Sequence, residues 1–270
     1  MVTRLVEPAR PQAWSPDGWD ARARVGLLTP HADVGPECEL EAMAPLGVTI
    51  HATRVRFGAM AAGGAMDPTI PLAPVRGFAE TPELDAAAAL LADAPLDVVA
   101  YGFTSSAYVI GADGEAAMID RLVQVTRGIP VVAPSTATLA ALRELGVDRL
   151  ALVTPPWFDA ELTALGRAFY EAAGHTVVAA VPADLPSDQR AITPGGLYDW
   201  VCRNTPDAAE AVVVGGNGLR AVGAIAALER DLARPVVTAN QALLWAALRA
   251  AHAYDTPVQG YGVLLANRSS

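Results

Sequence analysis

Arg24-Val-Gly-Leu-Leu-Thr-Pro30 and, much later in the chain, Arg149-Leu-Ala-Leu-Val-Thr-Pro155 share an arginine, a short apolar run and a closing Thr-Pro. A short apolar run that does not alternate and stops at proline is what a parallel strand buried on both faces requires. Two further pairs follow in the same order. Val98-Val-Ala-Tyr-Gly-Phe-Thr-Ser105 and Ala211-Val-Val-Val-Gly-Gly-Asn-Gly218 are strands that run into glycine-led loops. Pro130-Val-Val-Ala-Pro-Ser-Thr136 and Pro235-Val-Val-Thr-Ala-Asn240 are strands that open helices rich in Ala and Leu, beginning near Ala137 and Gln241 with Ser135 and Asn240 as caps. Strand, loop, helix, strand, helix, occurring twice, predicts an α/β protein of two pseudo-symmetric, doubly wound lobes with parallel sheets.

The proline-dotted segment 1–22 reads as an irregular arm, 23–133 as the first lobe and 134–239 as the second. A last helix, from about 240 to 270, completes the first lobe. In such folds ligands sit outside the carboxyl ends of the strands. Four loops, Thr29 to Asp33, Gly102 to Ser106, Thr154 to Asp159 and Gly215 to Leu219, therefore face one crevice between the lobes. Loops that run into helix N-termini favour anions, which makes a small carboxylate the expected substrate.

Composition narrows the chemistry. The 270 residues carry a net charge of −10, and all 19 basic residues are arginine. Without lysine there is no Schiff base and no phosphate-binding loop of the Walker type. A scattered minority of cations gives no stripe for nucleic acid. The hydrophobic fraction of 52% is spread evenly and contains no apolar stretch of membrane-spanning length, so no membrane partner is expected. The opening stretch lacks a secretory apolar run, which predicts a cytoplasmic protein. Cys38 and Cys202 form no CxxC pair and read as buried structural thiols, and the four histidines show no ligand spacing. Neither metal nor cofactor is expected. Assembly into a homo-oligomer is left open.

Arg24 to Asp33, Met43-Ala-Pro-Leu-Gly-Val-Thr-Ile-His51, Tyr101-Gly-Phe-Thr-Ser105, Gly215-Gly-Asn-Gly-Leu219 and Gly260-Tyr-Gly262, in this order and spacing, resemble the aspartate/glutamate racemase superfamily. The resemblance is to the branch that contains maleate cis-trans isomerase and arylmalonate decarboxylase. It implies one thiol on each lobe flanking the substrate carbon, and here those two positions fall on Phe103 and Gly216. It also implies a carboxylate cradle from Thr104 and Ser105 on one lobe and Asn217 and Gly218 on the other. Trp157 falls near a pocket tyrosine of the family, and Asp33 takes the place of a substrate-binding asparagine.

With both thiols replaced, proton transfer passes to another group. His31 and Asp33 are the first candidates, with Tyr101 and Asp159 behind them. Together with Thr104, they make the expected enzyme a cofactor-independent lyase or isomerase that holds a carbanion or enediolate without catalytic cysteine. A hydrolase using His31 with Asp33, and a binding protein that kept the pocket and lost the reaction, are the two alternatives.

Overall fold

The computed structural model describes residues 17–80, 82–255 and 257–266; most of the arm, 1–16, lies outside them. Two four-stranded parallel sheets carry the fold. In the first, β1 (Ala23–Pro30) lies between β2 (Val48–Val55) and β3 (Val98–Tyr101), and β4 (Val131–Val132) extends β3. In the second, β5 (Arg149–Thr154) lies between β6 (Thr176–Pro182) and β7 (Ala211–Val214), with β8 (Val236–Thr238) outside β7. The strand order is the same in both, so the three sequence repeats correspond to β1 and β5, β3 and β7, and β4 and β8. All four residues of β3 and of β7 are buried. Such strands cannot tolerate a polar face, and the valine-rich text reflects this.

Helices cover both sheets. The first lobe holds α1 (Gly35–Met43), α2 (Leu72–Phe78), α3 (Glu83–Leu91) and α4 (Ser105–Val125); after β4 comes α5 (Pro134–Glu144). The second holds α6 (Ala160–Ala172), α7 (Pro194–Asn204) and α8 (Ile225–Leu232); β8 is followed by α9 (Ala239–Ala250) and the short α10 (Val263–Ala266). Helix α9 crosses back to pack on α1, α5, β3 and β4. Between the lobes α4 packs on α6, with Tyr108 5.7 Å from the Phe169 ring and 6.1 Å from Tyr170. Offset and edge contacts of this kind fix one lobe against the other. No helix among the described residues is long and apolar enough to cross a membrane.

The helix starts differ from the sequence reading in an informative way. Helix α5 begins at Pro134, whose missing N–H and preset φ suit the first helical position, so Ser135 is inside the helix and is not its cap. Helix α9 is capped by Thr238, which accepts from Gln241 N–H while the Gln241 side chain accepts from Thr238 N–H. Asn240 is thereby released from capping. Cys38, expected to be buried, is exposed on α1.

Candidate functional site

Residues from all four strand ends line one narrow cavity of about 30 Å3: Pro30 at the end of β1 and Asp33 beyond it, Gly102 to Ser105 after β3, Trp157 and Phe158 after β5, and Gly216 to Gly218 after β7. The wall is otherwise apolar, built from Phe57, Met60, Met66 and Ile70 of the long β2–α2 connection, while Gln189 closes the other side. Phe103 stacks into an aromatic group, 4.9 Å from Phe57 and 4.2 Å from Phe78 between ring centroids. A larger space of about 430 Å3 adjoins at Gln189 and Gly218 and is lined by Cys38, Glu39, Arg190, Arg220 and Tyr261. Neither cysteine lines the inner cavity.

Close approach of the two lobes depends on glycine. A Cβ on Gly218 would collide with the Gln189 amide and stand 3.0 Å from Asp33 Oδ2. Gly216 has φ +91°, and a Cβ there would run into the Pro155 ring. The position where the resemblance would put a thiol therefore has neither the backbone conformation nor the space for one.

Asp33 is 3% exposed, and its Oδ1 accepts the Gly35 N–H at 2.8 Å at the start of α1. Burial pushes its carboxyl up to about 6, although the Gly35 N–H, the nearby Gln189 amide and the Arg54 charge all favour the ionised form. Gln189 Nε2 itself is buried without a hydrogen-bond partner of good geometry. Arg54 donates to the Asp33 carbonyl at 2.7 Å and pairs with Glu37, so it braces the loop from outside.

The polar groups that the resemblance assigns to a carboxylate cradle are satisfied in part from within. Thr104 occupies the N-cap position of α4, yet its hydroxyl donates to Asn217 Oδ1 at 2.6 Å across the lobes instead of capping the helix. Its carbonyl accepts the Ser135 hydroxyl at 3.2 Å. Among the described residues, the Ser105 hydroxyl and the N–H groups of Thr104, Gly216, Asn217 and Gly218 bond to no protein acceptor. Donors left open on two facing loops are chemically able to hold negative charge.

His31 is not among the residues lining the cavity; its Nδ1 accepts the Phe57 N–H at 3.2 Å. Asp159 caps α6 by accepting Leu162 N–H, and the buried Tyr101 hydroxyl, held far above its usual range by burial, pairs with Ser106. Neither reaches the cavity. Sequence reading missed the β2–α2 connection, Gln189 and Glu39. The first had a signal: methionines and a phenylalanine within a glycine-rich loop too long for a simple connection, the kind that carries function. Among the described residues no group of three or more His, Cys, Asp or Glu is placed to hold a metal ion.

The arylmalonate decarboxylase family model matches residues 58–265. No curated protein matches the chain. Among solved structures, a cysteine-to-alanine variant of maleate isomerase Iso from Pseudomonas putida S16 with maleate has a TM-score of 0.78 at 26% identity, over 90% of this chain and 97% of that one. Arylmalonate decarboxylase has 0.72 at 24%, over 90% and 98%. A cysteine-to-serine variant of Nocardia farcinica maleate cis-trans isomerase with a covalently bound succinylcysteine intermediate has 0.76 at 24%, over 92% and 99%. The last two are likenesses of fold.

Proposed function

We infer, since this chain belongs to the arylmalonate decarboxylase family, that it is a cofactor-independent decarboxylase of small malonate-type carboxylates bearing an apolar substituent, and that it works without a thiol. One observation carries this reading. Asp33, a carboxyl held near pH 6, shares a cavity with two facing loops of open N–H donors and a wall of aromatic and methionine side chains.

In the proposed reaction, one carboxylate of the malonate is desolvated against Phe57, Phe103 and Trp157. Its C–C bond breaks, carbon dioxide leaves, and the electron pair passes into the remaining carboxylate as an enediolate. The Ser105 hydroxyl and the N–H groups of Thr104, Gly216, Asn217 and Gly218 hold that charge. Protonated Asp33 delivers a proton to the α-carbon and recovers it from water. His31 serves by holding the Phe57 backbone. Gln189, whose amide nitrogen lies near Asp33 without a hydrogen bond of good geometry, is a further donor for the remaining carboxylate. The cavity is narrow, and the 56–71 connection and Gln189 are the parts of its wall that would give way to admit an acid with a bulky substituent.

In the Nocardia isomerase the intermediate is bound to a cysteine; here Cys38 lies in the adjoining space and Cys202 on α7. That difference favours decarboxylation over a thiol-dependent isomerisation. Phenylmalonate and methylmalonate in heavy water, followed by NMR, provide the test. Carbon dioxide release with one deuteron placed on the α-carbon is expected. A protein that binds these acids and never turns them over would be a binding protein, a reading that Phe103, a ring where the resemblance would put a thiol, favours. Isomerised maleate with intact malonates would sink the decarboxylase reading. Cytoplasmic placement and independence from metals belong to the same proposal.

A further inference from the structure

One buried carboxylate has no part in the chemistry above. Glu39 lies on α1 and is 7% exposed. Its Oε1 reaches across to the second lobe and accepts Ala221 N–H at 2.6 Å and Val222 N–H at 3.0 Å; its Oε2 accepts Asn240 Nδ2 at 2.7 Å. Burial raises this carboxyl, while those three donors pull the other way. Asn240 Nδ2 also donates to the Asn217 carbonyl at 2.9 Å. The Asn217 backbone carbonyl carries no hydrogen, and neither does an ionised Glu39, so with both as partners the amide can point only one way. Its Oδ1 then accepts Asn217 Nδ2 at 2.7 Å. Asn217 is left with its side-chain oxygen Oδ1 towards Thr104, and at 2.6 Å the Thr104 hydroxyl has only the role of donor. All four residues are buried.

We propose that Glu39 is a positioning residue that sets the direction of the chain Glu39–Asn240–Asn217–Thr104, so that Thr104 spends its proton inside the protein and turns lone pairs to the cavity. Recognition of a carboxylate then falls to the Ser105 hydroxyl and the loop N–H groups. A ligand oxygen seated against Thr104 Oγ1 must carry a hydrogen, as in a hydroxyl or an un-ionised carboxyl. This last consequence rests on the crevice being the carboxylate site; the direction of the chain does not.

The pseudo-symmetric position supports the assignment. Ser135 donates to the Thr104 carbonyl as Asn240 does to the Asn217 carbonyl, but a serine has one proton and no amide to pass a direction onward. The chain therefore starts only from the second lobe. A carboxylate is also the one side chain of this size that can meet three donors: glutamine at position 39 would turn an NH2 group against either the two backbone N–H groups or Asn240.

A neutron crystal structure of the unliganded full chain, exchanged into heavy water, reads the direction directly. Deuterium is expected on Thr104 Oγ1 aimed at Asn217 and on Asn240 Nδ2 aimed at Glu39 and the Asn217 carbonyl. A deuteron on Asn217 Nδ2 aimed at Thr104, or one on Glu39 aimed at Asn240, overturns the proposal. In solution, side-chain amide exchange of Asn217 and Asn240 in 15N spectra should be at least tenfold faster in Glu39→Gln and return towards the parent in Glu39→Asp. Unchanged protection in a folded Glu39→Gln overturns it as well. Should Glu39→Gln fail to fold, the parent's deuterium positions and the Glu39→Asp exchange rates still decide. Failure of the parent to bind phenylmalonate counts against the proposed function alone.

Discussion

The chemistry assigned to this crevice depends on a few atoms of Asp33. A carboxyl raised to about 6 is partly protonated near neutrality, as a proton donor must be, and it loses that role as pH rises above 6. Turnover of phenylmalonate should therefore fall about tenfold per pH unit on the alkaline side. Asp33→Asn, which keeps the shape and removes the acid, should lower kcat by ~100-fold or more with little change in binding. Rates measured from pH 5 to 9 check both; an alkaline limb that stays flat removes Asp33 from the reaction. At Ser105, the alanine variant gives up one charge-assisted hydrogen bond and should weaken malonate binding by ~10-fold or more, read by calorimetry. Gly216→Cys tests the position where the resemblance would put a thiol. Its φ and the Pro155 ring should make it cost ~2 kcal/mol or more and give no racemisation, in contrast to a position that had merely lost its side chain. A thermal melt that leaves the variant at the parent's midpoint would show that the loop adapts.

Among the elements, the starts of α5 and α9 decide most about the site. Proline at one and a Thr–Gln capping box at the other satisfy the first turns, and so leave Ser135 and Asn240 free to bond across to the loops that carry Thr104 and Asn217. Thr238→Ala removes one arm of the box. It should cost about 1 kcal/mol in urea unfolding and lose malonate affinity as well, because the same turn carries Asn240. Loss of stability with affinity intact would separate the cap from the site. The strands and their order of repeats were legible beforehand because burial on both faces leaves an unbroken apolar signature. The caps differ from the sequence expectation for a physical reason: Ser and Asn beside a helix start are equally suited to capping and to longer-range bonds, and only the partner's position distinguishes the two.

For the whole molecule, the buried acids govern how stability responds to pH. Glu115 of α4 is fully buried, accepts Thr136 N–H at 3.1 Å and the Thr136 hydroxyl with one oxygen, leaves the other unpartnered, and is pushed up to about 7 by burial. Asp33 behaves alike. A carboxyl whose folded value lies above its unfolded one binds more protons when folded. Stability is then greatest below the unfolded value and falls as pH rises to the folded value, here from about 4 to about 7. Glu115→Gln, which can still accept from Thr136, should stabilise the protein at pH 8 by ~1–3 kcal/mol and flatten this decline. Unfolding measured at pH 5 and pH 8 gives the sign; a variant that is weaker at pH 8 would mean that the ionised form is held more favourably than burial implies.

The amino-acid sequence by itself determined the α/β class, the duplicated strand order and the four loops that meet at the crevice. These follow from local patterns: apolar runs closed by proline, glycine at strand ends, helix-length segments between them. It also marked Asp33, Thr104, Ser105, Trp157 and Asn217 as candidates, through a resemblance carried by short motifs, and all five line the cavity. Only the tertiary structure decided which of these present open donors to the cavity. The Thr104 to Asn217 bond joins residues 113 apart in the chain, and the Glu39 to Asn240 bond joins residues 201 apart. Hydrogen-bond direction depends on such pairings and on how deeply they are buried, and neither leaves a periodic trace in the chain.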